Sequence, residues 1–243
     1  IKPMVFSGVY PIDTNDYENL RTSLDKLVLN DSSLSYQPNN SQALGFGFRC
    51  GFLGPLHMEI VQERLEREFK LNLITTCPTV VYNVELKDSS YLKVSNPSDM
   101  PDSININAIY EPFIKGEIIS PKEYIGPIMN LCTKHRGIYK STNYLSIEKA
   151  QLIFELPLSE IIFEFFEKLK SLSKGYASLD YEIIDERKSK LIKLDVKVAG
   201  DIVDALSIII HNSDSYKQGS RLCKRLKEEI HKQQFEIPIQ AVI

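Results

Sequence analysis

The stretch GFGFRCGFLGPLHMEIVQERLEREF, Gly45 to Phe69, decides how the first third of the chain is read. Its first half alternates small residues with phenylalanine, the pattern of a strand. Its second half places Met58, Val61, Leu65 and Phe69 on one stripe and turns Glu59, Glu63, Arg64, Glu66 and Arg67 largely outward, the pattern of an amphipathic helix. Glycines ahead of a helix can also cradle a phosphate, but that chemistry needs a Lys and a Ser or Thr opening the helix, and neither is present. Phe46, Phe48 and Phe52 are therefore expected to point to a core, with the glycines in a tightly packed strand and its turn. Cys50 and His57 lack the two further ligands of a metal site, and no HExxH, CxxC or HxH occurs in the chain. His57 reads as part of a helix start, with Glu59 near the positive end of the helix dipole.

Working outward, MVFSGVYP forms a strand ended by Pro11. DTNDYENLRTSLDKLVLND follows as a capped helix with Leu20, Leu24, Leu27 and Val28 on its apolar face. SLSYQP supplies a strand before the glycine-rich one, and LITTCPTVVYNVEL a β-rich segment after the second helix. The order is strand, helix, strand, strand, helix, strand, a ferredoxin-like βαββαβ unit over residues 1–87. The Ser-, Asn-, Asp- and Pro-rich run KDSSYLKVSNPSDMPDSIN marks a connector at 88–104. The alternation then returns over 105–189. AIYEPFIKGEIIS reads as a strand, PKEYIGPIMNLCTKHR as a helix opened by Pro121, and GIYKSTNYLS with KAQLIFELPL as a hairpin. SEIIFEFFEKLKSLSKG is one helix that buries Ile162, Phe165, Phe166 and Leu169 and closes at Gly175, and YASLDYEIIDERKSK is the last strand. The fold class is α+β, with two consecutive ferredoxin-like domains. The tail, 190–243, reads as strand, turn, apolar segment, helix striped by Leu222, Leu226 and Ile230, and strand. It is too small to stand comfortably alone, so it is expected to lean on the second unit or to begin a truncated third domain.

A chain of 243 residues with 43% hydrophobic and 25% charged residues and a mean hydropathy of −0.17 is that of a soluble globular protein. A net charge of −3 argues against a generally basic nucleic-acid binder and leaves local patches open. The 4 cysteines stand far apart, as reduced thiols do. No run approaches the length of a membrane span. The first residue, Ile1, and the last run, FEIPIQAVI, read as the borders of an excised piece of something larger. None of His57, His135, His211 or His231 is tied by local sequence to Cys50 or Cys132, so a nucleophilic enzyme is not indicated.

Cations gather instead at helix ends. Lys134, His135 and Arg136 precede Gly137, and Lys170 and Lys174 precede Gly175 and Tyr176, an aromatic able to stack on a base. The two turns could border one RNA-facing edge. The alternative is cations placed at helix C-termini for dipole reasons. Lys217, Arg221, Lys224, Arg225 and Lys227 form a third patch, equally readable as a solvated face.

ALGFGFRCGFLGPLHMEIVQERLEREF, together with KPMVFSGVYP, LKSLSKGYASLDY and QQFEIPIQA in this order, resembles the LepA (elongation factor 4) family of translational GTPases, and the resemblance extends over essentially the whole chain. It implies that 1–87 corresponds to domain III, 105–189 to domain V, both similar to parts of elongation factor G, and 190–243 to the start of the LepA-type C-terminal domain. It implies a parent that binds the bacterial ribosome, hydrolyses GTP with Mg, and acts in back-translocation and fidelity of protein synthesis, with tRNA reached through a C-terminal part. This chain carries no GxxxxGK[ST] motif, so by the family mechanism it is expected to be noncatalytic and to need no cofactor of its own. Lys134, His135, Arg136, Lys170, Lys174 and Tyr176 are then the candidates for ribosomal RNA contact. Arg49 is a further candidate, with pairing to an acidic neighbour as the alternative. A monomer in the cytoplasm is expected, with the parent also a candidate for peripheral attachment to the cytoplasmic side of the membrane. The competing readings are a regulatory or small-molecule-binding tandem ferredoxin-like protein, and a piece of a BipA- or elongation factor G-type GTPase.

Overall fold

The structure, a computed structural model, describes residues 2–162, 164–230 and 237–243. The chain forms two compact units, one of residues 1–109 with 189–243 and one of residues 110–188.

The first unit opens with β1 (Val5–Pro11), α1 (Tyr17–Asn30), β2 (Ser35–Ser41), β3 (Gly45–Phe52), α2 (Pro55–Arg67) and β4 (Leu73–Thr75), the ferredoxin-like succession. The strands lie in the order β2-β3-β1-β4, and β5 (Thr79–Val80) also pairs with β1. The antiparallel register of β1 on β3 runs from Val5↔Phe52 to Val9↔Phe48. Side chains alternate across a strand, so Phe48, Cys50 and Phe52 share the face covered by Leu20, Leu24 and Leu27 of α1 and Val61 and Leu65 of α2. Burying such a side chain stabilises by roughly 1.5–3 kcal/mol each. Phe46 has the same parity but departs from expectation, being 67% exposed. It sits at the hairpin end of β3, where it meets Tyr17 edge-to-face at 6.3 Å between ring centroids.

The other face of β3 explains its glycines. Tyr10 lies across the sheet there and is 2% exposed. A Cβ on Gly47 would stand 2.4 Å from Tyr10 Cδ1 and 2.5 Å from the Val9 carbonyl oxygen, and one on Gly8 would stand 2.7 Å from Tyr10 Cε2. Glycine at these two positions lets the aromatic ring lie directly against the backbone of β1 and β3. His57 then ties the motif together. Its Nδ1 accepts from the Leu53 N–H at 3.0 Å and its Nε2–H donates to Asp31 at 2.7 Å. Asp31 caps the C-terminal end of α1, so one imidazole joins the end of β3, the first turn of α2 and the end of α1.

LITTCPTVVYNVEL is not one strand. Cys77 and Pro78 separate β4 from β5, and β6 (Tyr82–Leu86) turns away to pair with β7 (Tyr91–Val94). The connector thus holds a strand of its own. The chain leaves the first unit along β8 (Ile106–Pro121).

In the second unit β8 is followed by α3 (Ile125–Lys134), β9 (Ile138–Tyr144), β10 (Lys149–Pro157), α4 (Leu158–Ile161), α5 (Phe165–Leu172) and β11 (Ser178–Ser189). The order β9-β10-β8-β11 repeats that of the first sheet. Pro121 does not open the helix. It is the last residue of β8, paired with Lys149, and a single 3-10 turn, Lys122–Tyr124, precedes α3. The second helix is likewise broken: Glu164 has φ 43°, which interrupts the helical ladder between α4 and α5. Ile162, Phe165 and Leu169 are buried as expected, while Phe166 is half-buried.

The tail consists of β12 (Leu191–Val198), β13 (Asp201–Ile202), β14 (Ile208–His211), α6 (Ser215–Glu229) and β15 (Ile239–Val242), with β12 central and antiparallel to the other three strands. It falls within the same compact unit as residues 1–109. The reason is local: the Asp204 carboxylate accepts from Ser41 Oγ at 2.9 Å, the Gln42 N–H at 3.0 Å and the Ala43 N–H at 3.3 Å, clasping the β2–β3 turn. Leu222, Leu226 and Ile230 are half-buried, and α6 is seated most closely through Gly219, where a Cβ would stand 2.9 Å from that of Ala241. His231 and the first residues of QQFEIPIQA lie outside the described residues.

Two substitutions test this packing by urea denaturation. Gly47→Ala is expected to cost about 1–3 kcal/mol, because both the Tyr10 ring and a backbone carbonyl must give way. His57→Ala is expected to cost about 1–3 kcal/mol by removing a charge-assisted bond and orphaning the Leu53 N–H.

Candidate nucleic-acid interface

CTKHRG closes α3 with a tight reversal. The Gly137 N–H reaches back to the Cys132 carbonyl at 2.8 Å, and Arg136 occupies the left-handed region at φ 58°. Gly137 is required, since a Cβ there would stand 2.6 Å from the Cys132 oxygen. A left-handed arginine costs roughly 1–2 kcal/mol, and its side chain supplies the offset. The guanidinium donates to both oxygens of Glu111, at 2.6 and 3.1 Å, and through Nε to Glu160 at 2.8 Å. Glu111 is fully buried and also accepts from Ser159 Oγ at 3.0 Å. His135 Nδ1 lies 3.0 Å from the other Glu160 oxygen, its ring edge-on to Phe165.

Burial alone would weaken the Arg136 charge, but its bonds to Glu111 and the attraction of Glu111 and Glu160 hold the guanidinium above its ordinary value. Burial likewise pushes the Glu160 carboxyl up, and the His135 and Arg136 contacts overcome it, leaving Glu160 below its ordinary range. His135 and Arg136 are thus committed to carboxylates. Of the three residues at this turn, Lys134 is the exposed one.

The end of α5 uses the same device. The Gly175 N–H bonds the Lys170 carbonyl at 2.8 Å, Lys174 is left-handed at φ 50°, and Ser173 Oγ donates to the Leu169 carbonyl at 2.7 Å while accepting from the Ala177 N–H at 3.0 Å. The result is opposite in character. Lys170 and Lys174 are exposed, Tyr176 is 69% exposed, and neither lysine forms an ion pair among the described residues.

The two basic turns do not share an edge. In this topology the paired helices run antiparallel, so their C-terminal ends lie at opposite ends of the unit. Arg136 meets Glu111 near the start of β8, whereas Tyr176 lies close enough to Tyr124, just before α3, for their phenols to interact. The ten-residue α3 lies between them, a rise of about 15 Å.

Arg49 stands elsewhere, in the first unit. It is 5% exposed, and its Nη2 donates to Thr79 Oγ1 and to the Ser95 carbonyl. No carboxylate pairs with it among the described residues, and burial pushes its pKa down to about 10. The third patch, on α6, has Lys217, Arg221, Lys224, Arg225 and Lys227 all on the surface of the helix, at least partly exposed. Sequence reading missed Glu111, Ser159 and Glu160. Glu111 stands among apolar strand residues in AIYEPFI, and a lone acid in such a run signals a buried partner.

Three family models match the chain in order: Elongation Factor G, domain III over 2–76, Elongation factor G C-terminus over 108–196, and GTP-binding protein LepA C-terminus over 198–243. The whole chain aligns with proteins named Elongation factor 4, at 53% identity in Shouchella clausii, 56% in Chlorobaculum parvum and 57% in Chlorobium limicola. The chain belongs to the elongation factor 4, or LepA, family. It covers 40% of the length of each of these relatives. A crystal structure of a Thermus thermophilus protein superposes with a TM-score of 0.52 at 15% identity, covering 77% of this chain and 41% of that one, and so shares the fold. The LepA C-terminus match separates the chain from BipA- and elongation factor G-type factors. In this LepA chain Gly47, in the middle of the glycine-rich strand, is packed under Tyr10. No cluster of three metal-ligating side chains occurs among the described residues.

Arg136→Ala is expected to cost about 3–5 kcal/mol in denaturant unfolding by stranding buried Glu111, and the double change Glu111→Leu with Arg136→Met to cost far less. The depressed Glu160 pKa fixes the sign of a pH effect. Its contribution is fully present above the ordinary carboxyl value of 4.5 and is lost as pH falls through the lower folded value. Glu160→Gln is expected to flatten the fall of stability over that acid range, as read from melting temperature against pH.

Proposed function

We propose that this chain is the ribosome-contacting part of a LepA-type translation factor and that its second unit meets ribosomal RNA through the α5 turn. The observation that carries this reading is the closure at Lys174 and Gly175. It leaves two cations and a tyrosine exposed to solvent, with no carboxylate paired to either cation among the described residues. Phosphate contact favours exposed, unpaired cations, and a solvent-facing aromatic can stack on an unpaired base. Lys134 is a separate contact at the other end of the unit. His135 and Arg136 act as the internal brace that fixes the Lys134 turn, rather than as phosphate ligands.

On this reading the parent protein supplies GTP hydrolysis with Mg from segments outside this chain, and acts in back-translocation and fidelity on the cytoplasmic ribosome. Membership of the LepA family supports that role. Among the described residues no helix is long and apolar enough to cross a membrane.

Pelleting with bacterial ribosomes over a salt series tests the assignment. Lys170→Ala, Lys174→Ala and Tyr176→Ala together are expected to weaken pelleting and to lower the salt dependence by about one phosphate contact per lysine. Arg136→Lys, which keeps the charge but disturbs the brace, is expected to change thermal stability more than ribosome affinity. A triple variant that pellets like the parent sequence, or a chain that does not pellet at low salt, overturns the proposal.

A further inference from the structure

The first unit holds a cleft of about 410 Å³ whose walls come from the sheet face opposite the helices, the loop around Asn96–Asp99 and the tail near Asp204. Nothing in the ribosome-binding reading uses it. Its floor is built by the β1–β3 register, which sets Gly8 directly opposite Arg49. Above Gly8, where a side chain is missing, Thr76 Oγ1 and the Tyr10 hydroxyl both stand close: a Cβ there would be 3.0 Å from the first and 3.1 Å from the second.

Three residues that line the cleft, Arg49, Tyr10 and Thr76, have donor capacity unused among the described residues. Arg49 spends Nη2 on Thr79 and Ser95, while its Nε is buried without a partner. The Tyr10 oxygen accepts from Asn39 Nδ2 at 2.7 Å, and Thr76 Oγ1 accepts from the Gly8 N–H at 2.8 Å. Both hydroxyl protons are therefore left to give. Burial keeps the Tyr10 phenol protonated by raising its pKa, with nearby Arg49 pulling the other way.

The acidic groups at the cleft do not answer Arg49. Asp204 is occupied by the Ser41 hydroxyl and the Gln42, Ala43 and Ala205 N–H groups. Asp99 attracts Arg49 electrostatically from an exposed position and forms no ion pair with it among the described residues. A guanidinium 5% exposed, without a carboxylate and beside two hydroxyls with protons to donate, is an incomplete ion pair whose missing half is an anion.

We propose that this cleft binds the oxoanion group, carboxylate or phosphate, of a small solute, held by Arg49, Tyr10 and Thr76. Because its walls come from the β-sheet, the connector and the tail, a bound anion stabilises the seating of the tail on the sheet. The polar rim, with Asn39, Ser98 and Ser207, suits a solute that carries hydroxyl groups beside its anion.

The test follows the Arg49 Nε–H signal by ¹H–¹⁵N NMR during titration of the chain with sodium phosphate, sodium acetate and, at matched ionic strength, sodium chloride. A saturable shift with phosphate or acetate and none with chloride is expected, and the more effective of the two identifies the anion class. Tyr10→Phe and Thr76→Val keep the packing and are each expected to weaken binding about tenfold, the loss of one charge-assisted hydrogen bond. Arg49→Met abolishes the anion-dependent rise in melting temperature. A response equal to that of chloride, or one untouched by Tyr10→Phe and Thr76→Val, overturns the proposal. Because these readouts use no ribosomes, their outcome is independent of the pelleting result.

Discussion

The first unit depends on one constraint: both faces of β3 must be covered, and by different things. Phe48, Cys50 and Phe52 fill the helix side. The opposite side has to admit the Tyr10 ring at a distance that any Cβ on Gly8 or Gly47 would forbid. Once Tyr10 is down, its hydroxyl is fixed beside Thr76 and Arg49, and the β2–β3 turn is left where Asp204 can clasp it. The helix packing and the polar cleft both follow from a strand that carries Phe48, Cys50 and Phe52 on one face and, on the other, glycine at 47 and 51 around Arg49.

That two-sidedness explains what could be read in advance. Alternation in GFGFRCGF told the strand, and spacing of Met58, Val61, Leu65 and Phe69 told the helix, because each pattern reports one buried face. Neither pattern can report what lies on the glycine-bearing face, since glycines carry no signal about their visitor. Tyr10, far from Gly45 to Gly51 in sequence, has to be found in space. The exposure of Phe46 was hidden for a related reason: parity assigns a face, but the extent of the covering helices decides whether that face is dry.

Chain reversals were legible as stops and illegible as directions. Gly137 and Gly175 mark the ends of two helices, and in both the residue before the glycine is a left-handed cation. The sequence around each turn is similar, yet one cation is drawn inward by Glu111 and Glu160 while the other stays in solvent. The partners of Arg136 lie 25 and 24 residues away, so no local reading of CTKHRG reveals them. Antiparallel helix topology then sends the two turns to opposite ends of the unit, which the order of basic residues along the chain cannot show.

Buried charge separates the two arginines among the candidates. Arg136 is part-buried but its donors are met by two carboxylates, an arrangement whose removal strands Glu111 and whose role is to hold a turn. Arg49 is more deeply buried and among the described residues meets a hydroxyl and a carbonyl but no carboxylate, so the cost of desolvating its charge is left largely uncompensated there. A protein can carry such a cost as pure loss, or recover it from a ligand of opposite charge. The nearby Tyr10 and Thr76 hydroxyls, each already accepting and each with a proton still to give, form a donor-rich pocket that lowers no one else's desolvation cost. Donors converging on a cation repel further cations and favour an anion, which makes recovery from a ligand the better physical account of Arg49.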